Sequence, residues 1–219
     1  MTIHYIKPTF FMDANSYLII GTSKTLLIDT GTGMRLDNLV ASLNEILNGR
    51  KLDYIIATHR HHDHAGGVSK LVALFGSEAF MSEVDGVPIK EGDSISTLAA
   101  PFGLKIEPVD VKYLKEGAHI DLGGYVLRVL ETPGHTIGSI CLYDETTGAL
   151  FAGDTVSLDG VKRLDTPTAS HIQLGESLKR LSELNVSGIY PGHGIPAEKG
   201  TNIKILKSLK ILELLYSDD

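Results

Sequence analysis

The feature that most restricts this chain is a dense polar run at the end of an apolar stretch. Residues 52–57 read as a strand buried on both faces, and Thr58-His59-Arg60-His61-His62-Asp63-His64-Ala65-Gly66-Gly67 follows directly. Four histidines and an aspartate within six residues are costly to place there unless something binds them. Neutral imidazole nitrogens and carboxylate oxygens are donors that zinc, iron and manganese all accept. In an extended segment side chains alternate, so His59 and His61 would share one side, and a turn at Asp63-His64 would offer a second pair. Gly66 and Gly67 let the backbone turn sharply into a helix expected over 66–75. Taken alone, the run could also be a solvated histidine-rich loop.

Three further turns weigh against that loop. Each follows an apolar stretch and presents one ligand-type residue beside Gly or Pro: Thr132-Pro133-Gly134-His135-Thr136, Ala152-Gly153-Asp154-Thr155 and Pro191-Gly192-His193-Gly194. A strand end closed by such a turn is where a rigid scaffold presents functional groups. Together the four segments hold enough donors for two metal ions.

The rest of the chain reads as short strands mixed with helices. Residues 17–20 and 25–28 form a hairpin across Gly21-Thr22-Ser23-Lys24. Helical periodicity covers 36–47, 172–184 and 203–215, and strands are expected at 125–130, 140–143, 149–152 and 188–190. The stretch 83–116, with Pro101 and Pro108, is a loop-rich region or a partial helix. Strands and helices without strict alternation suggest sheets covered by helices, a mixed α/β or α+β arrangement in one domain over 1–219.

Composition excludes several classes. A net charge of −7 argues against nucleic-acid binding through a basic surface. Two bound divalent cations would still concentrate positive charge in one cleft and admit an anionic small-molecule substrate. Cys141 is the only cysteine, so neither an intramolecular disulfide nor a Cys-rich metal site is available. With no leader segment and no apolar run long enough to span a bilayer, the expectation is a cytoplasmic protein without membrane contact.

The run His59-Arg60-His61-His62-Asp63-His64 resembles the H-x-H-x-D-H signature of the metallo-β-lactamase superfamily. His135, Asp154 and His193 follow in matching order, and Leu27-Ile28-Asp29-Thr30-Gly31 is similar to the family's supporting aspartate loop. The resemblance runs from about residue 15 to 198. It implies a four-layer αββα sandwich of two mixed sheets flanked by helices, holding two divalent ions, zinc first with iron or manganese as alternatives. By the same resemblance, His59, His61 and His135 bind the first metal and Asp63, His64 and His193 the second. Asp154 bridges them, and Asp29 orients a ligand histidine by accepting its ring N–H. His62, His4 and His119 are expected to be ordinary; His171 and Arg163 are candidate substrate contacts, and Phe10, Phe11 and Met12 form an apolar lip or pack as core.

No Ser-His-Asp nucleophile is visible, so a metal-bound hydroxide is the expected nucleophile, with Asp63 also shuttling a proton. A common β-lactamase would carry Cys where Asp154 stands. A flavin-linked diiron reductase would carry Glu at His61, and a quorum-signal lactonase usually has Tyr at Ser157. The turns at Asp154 and His193 look most like glyoxalase II and its small relatives, which cleave thioesters. Only one helix is expected after His193, where glyoxalase II has a further helical region that helps bind glutathione, so glutathione specificity is left open. The expected activity is cleavage of a thioester or ester. Alternatives are a lactonase, a phosphodiesterase or ribonuclease, and a non-catalytic sensor. The apolar side of the last helix, Ile205, Leu209, Leu212 and Leu215, packs on its own sheet or serves a homodimer.

Overall fold

A computed structural model describes residues 2–158, 164, 166–199 and 201–216. The chain divides into two compact units. One comprises Met1–Leu114 with Asp121–Val126, the other Lys115–Ile120 with Leu127–Asp219.

The first unit is built on a six-stranded sheet. β1 (Thr2–Ile6), β2 (Ser16–Ile20) and β3 (Thr25–Ile28) run antiparallel in sequence order. The chain then crosses through α1 (Leu36–Leu47) to β4 (Tyr54–Ile56), which lies parallel to β3. In α1, Leu36, Leu39, Val40, Leu43 and Leu47 fall on one helical face that packs into the core with Leu18, Leu27 and Ile55. Asn48 ends the helix in the left-handed region, returning its N–H to the Asn44 carbonyl.

After β4 come α2 (His62–Ala65) and α3 (Val68–Phe75): the helix expected over 66–75 is α3, ending at Gly76, and α2 is a further short helix ahead of it. The ligand-type residues Asp63 and His64 are therefore helical rather than in a simple turn. Gly66 sits where a Cβ would lie 2.5 Å from both the His62 and the Thr32 carbonyl oxygens, so no side chain fits there. β5 (Glu78–Ser82), α4 (Glu83–Glu91) and β6 (Lys112–Leu114) complete the unit, β5 and β6 continuing the parallel run. The stretch 83–116 thus contains a helix, a single turn at Ala100–Phe102 and a strand.

The second sheet has the order β11-β10-β9-β8-β7. Its strands are β7 (His119–Asp121), β8 (Val126–Glu131), β9 (Ile140–Asp144), β10 (Ala149–Gly153) and β11 (Gly188–Pro191), and between the last two lies α5 (His171–Ser182). β8, β9 and β10 are antiparallel, while β10 and β11 are parallel. Leu142 and Phe151 are fully buried within this sheet. Leu150, Leu174, Leu178 and Ile189 share a second core with Ile205 and Leu212 of α6 (Thr201–Leu215). Leu209 packs at its edge, but Leu215 is 64% exposed, so the expected apolar side of this helix is shorter than its spacing suggested.

Both sheets are mixed and both carry helices, which is the α/β architecture expected. Among the described residues no helix is long and apolar enough to cross a membrane.

Candidate metal ligands

In the first unit the candidate ligands lie just past the C-terminal end of β4. Asp29 leaves β3 with φ 58°, in the left-handed region that Asp tolerates better than most residues, and its N–H donates to the Ile56 carbonyl. This turns its carboxylate toward the start of the histidine run. Oδ1 accepts the Thr58 backbone N–H at 2.8 Å, both oxygens accept the Thr58 hydroxyl, and Oδ2 accepts His64 Nδ1 at 2.8 Å. Protons are thereby assigned. His64 carries its hydrogen on Nδ1, so Nε2 is its basic nitrogen. The Thr58 hydroxyl, donating to Asp29, accepts from His59 Nδ1 at 3.2 Å, so His59 is likewise basic at Nε2.

His59 Nε2 lies 3.1 Å from His61 Nδ1, the rings edge-to-face at 82°. His64 Nε2 lies 3.8 Å from Asp63 Oδ2. His59, His61 and His64 are buried, while the Asp63 side chain is 22% exposed.

In the second unit three strand ends do equivalent work. His135 follows β8 in a turn where Gly134 adopts φ 140°, open only to glycine, and where a Cβ would meet Leu174 Cα at 2.4 Å. The Gly134 carbonyl accepts the Ser170 N–H and the Pro133 carbonyl accepts the Ser177 hydroxyl, so α5 clamps this turn. Asp154 follows β10 and His193 follows β11, the two turns tied by Gly192 N–H donating to the Gly153 carbonyl. Asp154 Oδ2 lies 3.5 Å from His135 Nε2 and 3.9 Å from His193 Nε2. One carboxylate oxygen thus serves two imidazoles.

These donor sets fit divalent cations. Nitrogen and oxygen donors bound at about 2.0–2.1 Å around tetrahedral zinc lie roughly 3.3–3.5 Å apart. The four separations, from 3.1 to 3.9 Å, bracket that edge. Cys141 contributes nothing to such a set: it is fully buried in β9, its thiol against Thr132 Oγ1 at 3.3 Å and the Ala152 carbonyl, and burial pushes its pKa up to about 11.

The family model of the metallo-beta-lactamase superfamily matches residues 10–193. The chain belongs to that superfamily. Within it, a probable metallo-hydrolase of Methanocaldococcus jannaschii, MJ0888, is 37% identical over 186 residues, 83% of this chain and 87% of its own. A hydroxyacylglutathione hydrolase of Aeromonas hydrophila is 32% identical over 177 residues, 80% of this chain but 58% of that protein's length. The crystal structure of TTHA1623, solved in a di-iron-bound form, matches with a TM-score of 0.75 at 30% identity, covering 93% of this chain and 97% of that one. The chain is therefore a metallo-hydrolase of the metallo-beta-lactamase superfamily, and its His/Asp donors imply divalent metal ions.

The remaining candidates fall in different places. His171 opens α5 and stacks flat on Tyr216, with ring centroids 4.5 Å apart. His62, at the variable position of the superfamily motif, is buried against the Phe102 ring, and desolvation lowers its pKa. His119 is exposed on β7 and His4 half-buried on β1. Phe11 is 88% exposed against Phe10, so it is not core. Arg163 lies outside the described residues. Sequence reasoning missed Thr58, whose hydroxyl joins Asp29 to His59, and Asp85, which bonds the residue between His59 and His61. A hydroxyl residue directly before the motif was the available signal for Thr58. Asp85 had none, because its partner is 25 positions away.

Proposed function

We propose that this protein is a dinuclear metal-dependent acyl hydrolase that cleaves a thioester or ester of a small molecule. On the resemblance to the superfamily, His59, His61 and His135 would hold one cation and Asp63, His64 and His193 the other, with Asp154 shared. Zinc is the first choice on donor chemistry. The di-iron form of TTHA1623 favours iron as the second reading. The observation that carries the proposal is the single Asp154 oxygen within 3.5 and 3.9 Å of two imidazole nitrogens. The thioester preference is supported by the similarity to hydroxyacylglutathione hydrolase, although this chain spans little more than half of that protein.

Divalent cations held by such a set would bring the ionisation of a bound water near neutral pH and polarise a carbonyl oxygen. The chain's residues supply the rest. Asp29 and Thr58 hold His64 and His59 in the tautomers that keep Nε2 basic. Asp63, the partly exposed carboxylate of the first unit's set, takes the proton released by the attacking water and returns it to the departing thiolate or alkoxide. Cys141 takes no part as a nucleophile, since its thiol is protonated and sealed.

The test is hydrolysis of lactoylglutathione and of a simple acyl-CoA by protein loaded with zinc or iron, with and without chelator. Chelator-sensitive turnover of either substrate is expected. Failure with both, in protein that demonstrably holds two metals per chain, overturns the acyl-hydrolase reading.

A further inference from the structure

The residue separating His59 from His61 is gripped twice by one carboxylate. Asp85 Oδ2 accepts the Arg60 backbone N–H at 2.9 Å, while Oδ1 accepts Arg60 Nε at 2.7 Å and lies 2.7 Å from Nη2. Both side chains are buried, that of Asp85 completely. An ion pair made for stability alone needs only the guanidinium. The bond to the backbone N–H adds something else, because it fixes the peptide from which the two flanking imidazoles project.

The helix that carries Asp85 is shaped for this contact. Ser82 caps α4 by accepting the Asp85 N–H, which sets the first turn. Pro88 lies inside α4 and has no N–H to give the carbonyl four residues earlier, that of Val84. Arg60 Nη2 donates to that carbonyl at 3.1 Å. The proline thus releases an acceptor and the guanidinium takes it. Arg60 is held by the Asp85 carboxylate and by a helix carbonyl that an ordinary helix would have kept.

We propose that Asp85 is a positioning residue for metal binding: through the Arg60 backbone and side chain it aims His59 and His61 at a shared cation. The role rests on the metal centre proposed above. It acts before any substrate arrives, so it is read from metal binding rather than turnover.

The test measures zinc affinity by chelator competition and the visible spectrum of the cobalt-loaded protein, with circular dichroism as the check on folding. Asp85→Asn keeps the shape but puts an N–H against the guanidinium or the Arg60 N–H. The paired variant Arg60→Met with Asp85→Leu removes both buried charges, a replacement that buried ion pairs often tolerate without loss of stability. It still leaves residue 60 without its acceptor. Both variants are expected to fold and to bind zinc about 10–100-fold more weakly, the loss typical when an outer partner of a metal ligand is removed. Their cobalt spectra should differ from that of the parent. Parent-like affinity and spectrum in either folded variant overturns the positioning role and leaves the metal centre standing. A parent protein that binds no zinc or cobalt overturns both.

Discussion

Asp29 accepts from a backbone N–H, a hydroxyl and an imidazole at once, and each bond decides a proton position one step closer to the donors. Asp29→Asn would place an N–H against His64 Nδ1 or Thr58 and leave buried donors facing each other, at about 1–3 kcal/mol for each polar group left unsatisfied. We expect the Asp29→Asn variant to unfold at lower urea when metal-free and its zinc affinity to fall at least about tenfold. Unchanged chelator competition would show that the tautomer of His64 does not depend on this bond. Cys141 gives a second residue-scale prediction. With a pKa of about 11, only roughly one thiol in a thousand is ionised at pH 8. Ellman's reagent should leave the native protein untouched and react once it is unfolded. The fold keeps this proton more tightly than the unfolded chain does. The associated stability is therefore complete below about pH 8.5 and is lost as pH rises toward 11.

Elements differ in how plainly the sequence announces them. The β2–β3 hairpin and α1 are legible because their apolar residues follow one period and Gly or Asn closes them. α4 is not, since Pro88 interrupts it and its buried residues, Asp85, Gly86, Pro88 and Ile89, include a charge. β1, β5, β6 and β7 also escape a periodic reading, because strands of three to five residues complete hardly two alternations. The proposed ligands were legible on other grounds: the histidine run by its density, and His135, Asp154 and His193 by the Gly or Pro turns that hold them. The turn after β8, which packs against α5, tests how strictly its glycine is required. Gly134→Ala should destabilise the protein by about 2–4 kcal/mol, as a glycine-only conformation and a Leu174 clash combine. Gly124→Ala, also at positive φ but in open space, should cost only about 1–2 kcal/mol. Urea unfolding of the two variants side by side measures the difference. Equal losses would mean that α5 yields to the added methyl.

For the whole molecule, a single cysteine leaves no intramolecular disulfide available, and buried apolar clusters, among them those around Leu27 and Leu150, supply the cores. Cations that bind only the folded chain then add stability by mass action, about 4 kcal/mol at a thousandfold excess over the dissociation constant. For a chain of this size that corresponds to roughly 8–16 °C in melting temperature. Scanning calorimetry of zinc-loaded and chelator-treated protein should show such a gap, and coincident transitions would mean that the folded state holds no metal. The parallel register of β3, β4 and β5 has a different outcome. Asp29, the histidine run and Asp85 all depart from the same edge of that sheet, just past the ends of three neighbouring strands. The opposite edge carries Lys24, the open turn at Gly49 and Asp53. Extra residues spliced in at Gly49, or new termini opened there, would lengthen or re-route the chain without moving one donor atom, so that edge is where this scaffold can be rebuilt.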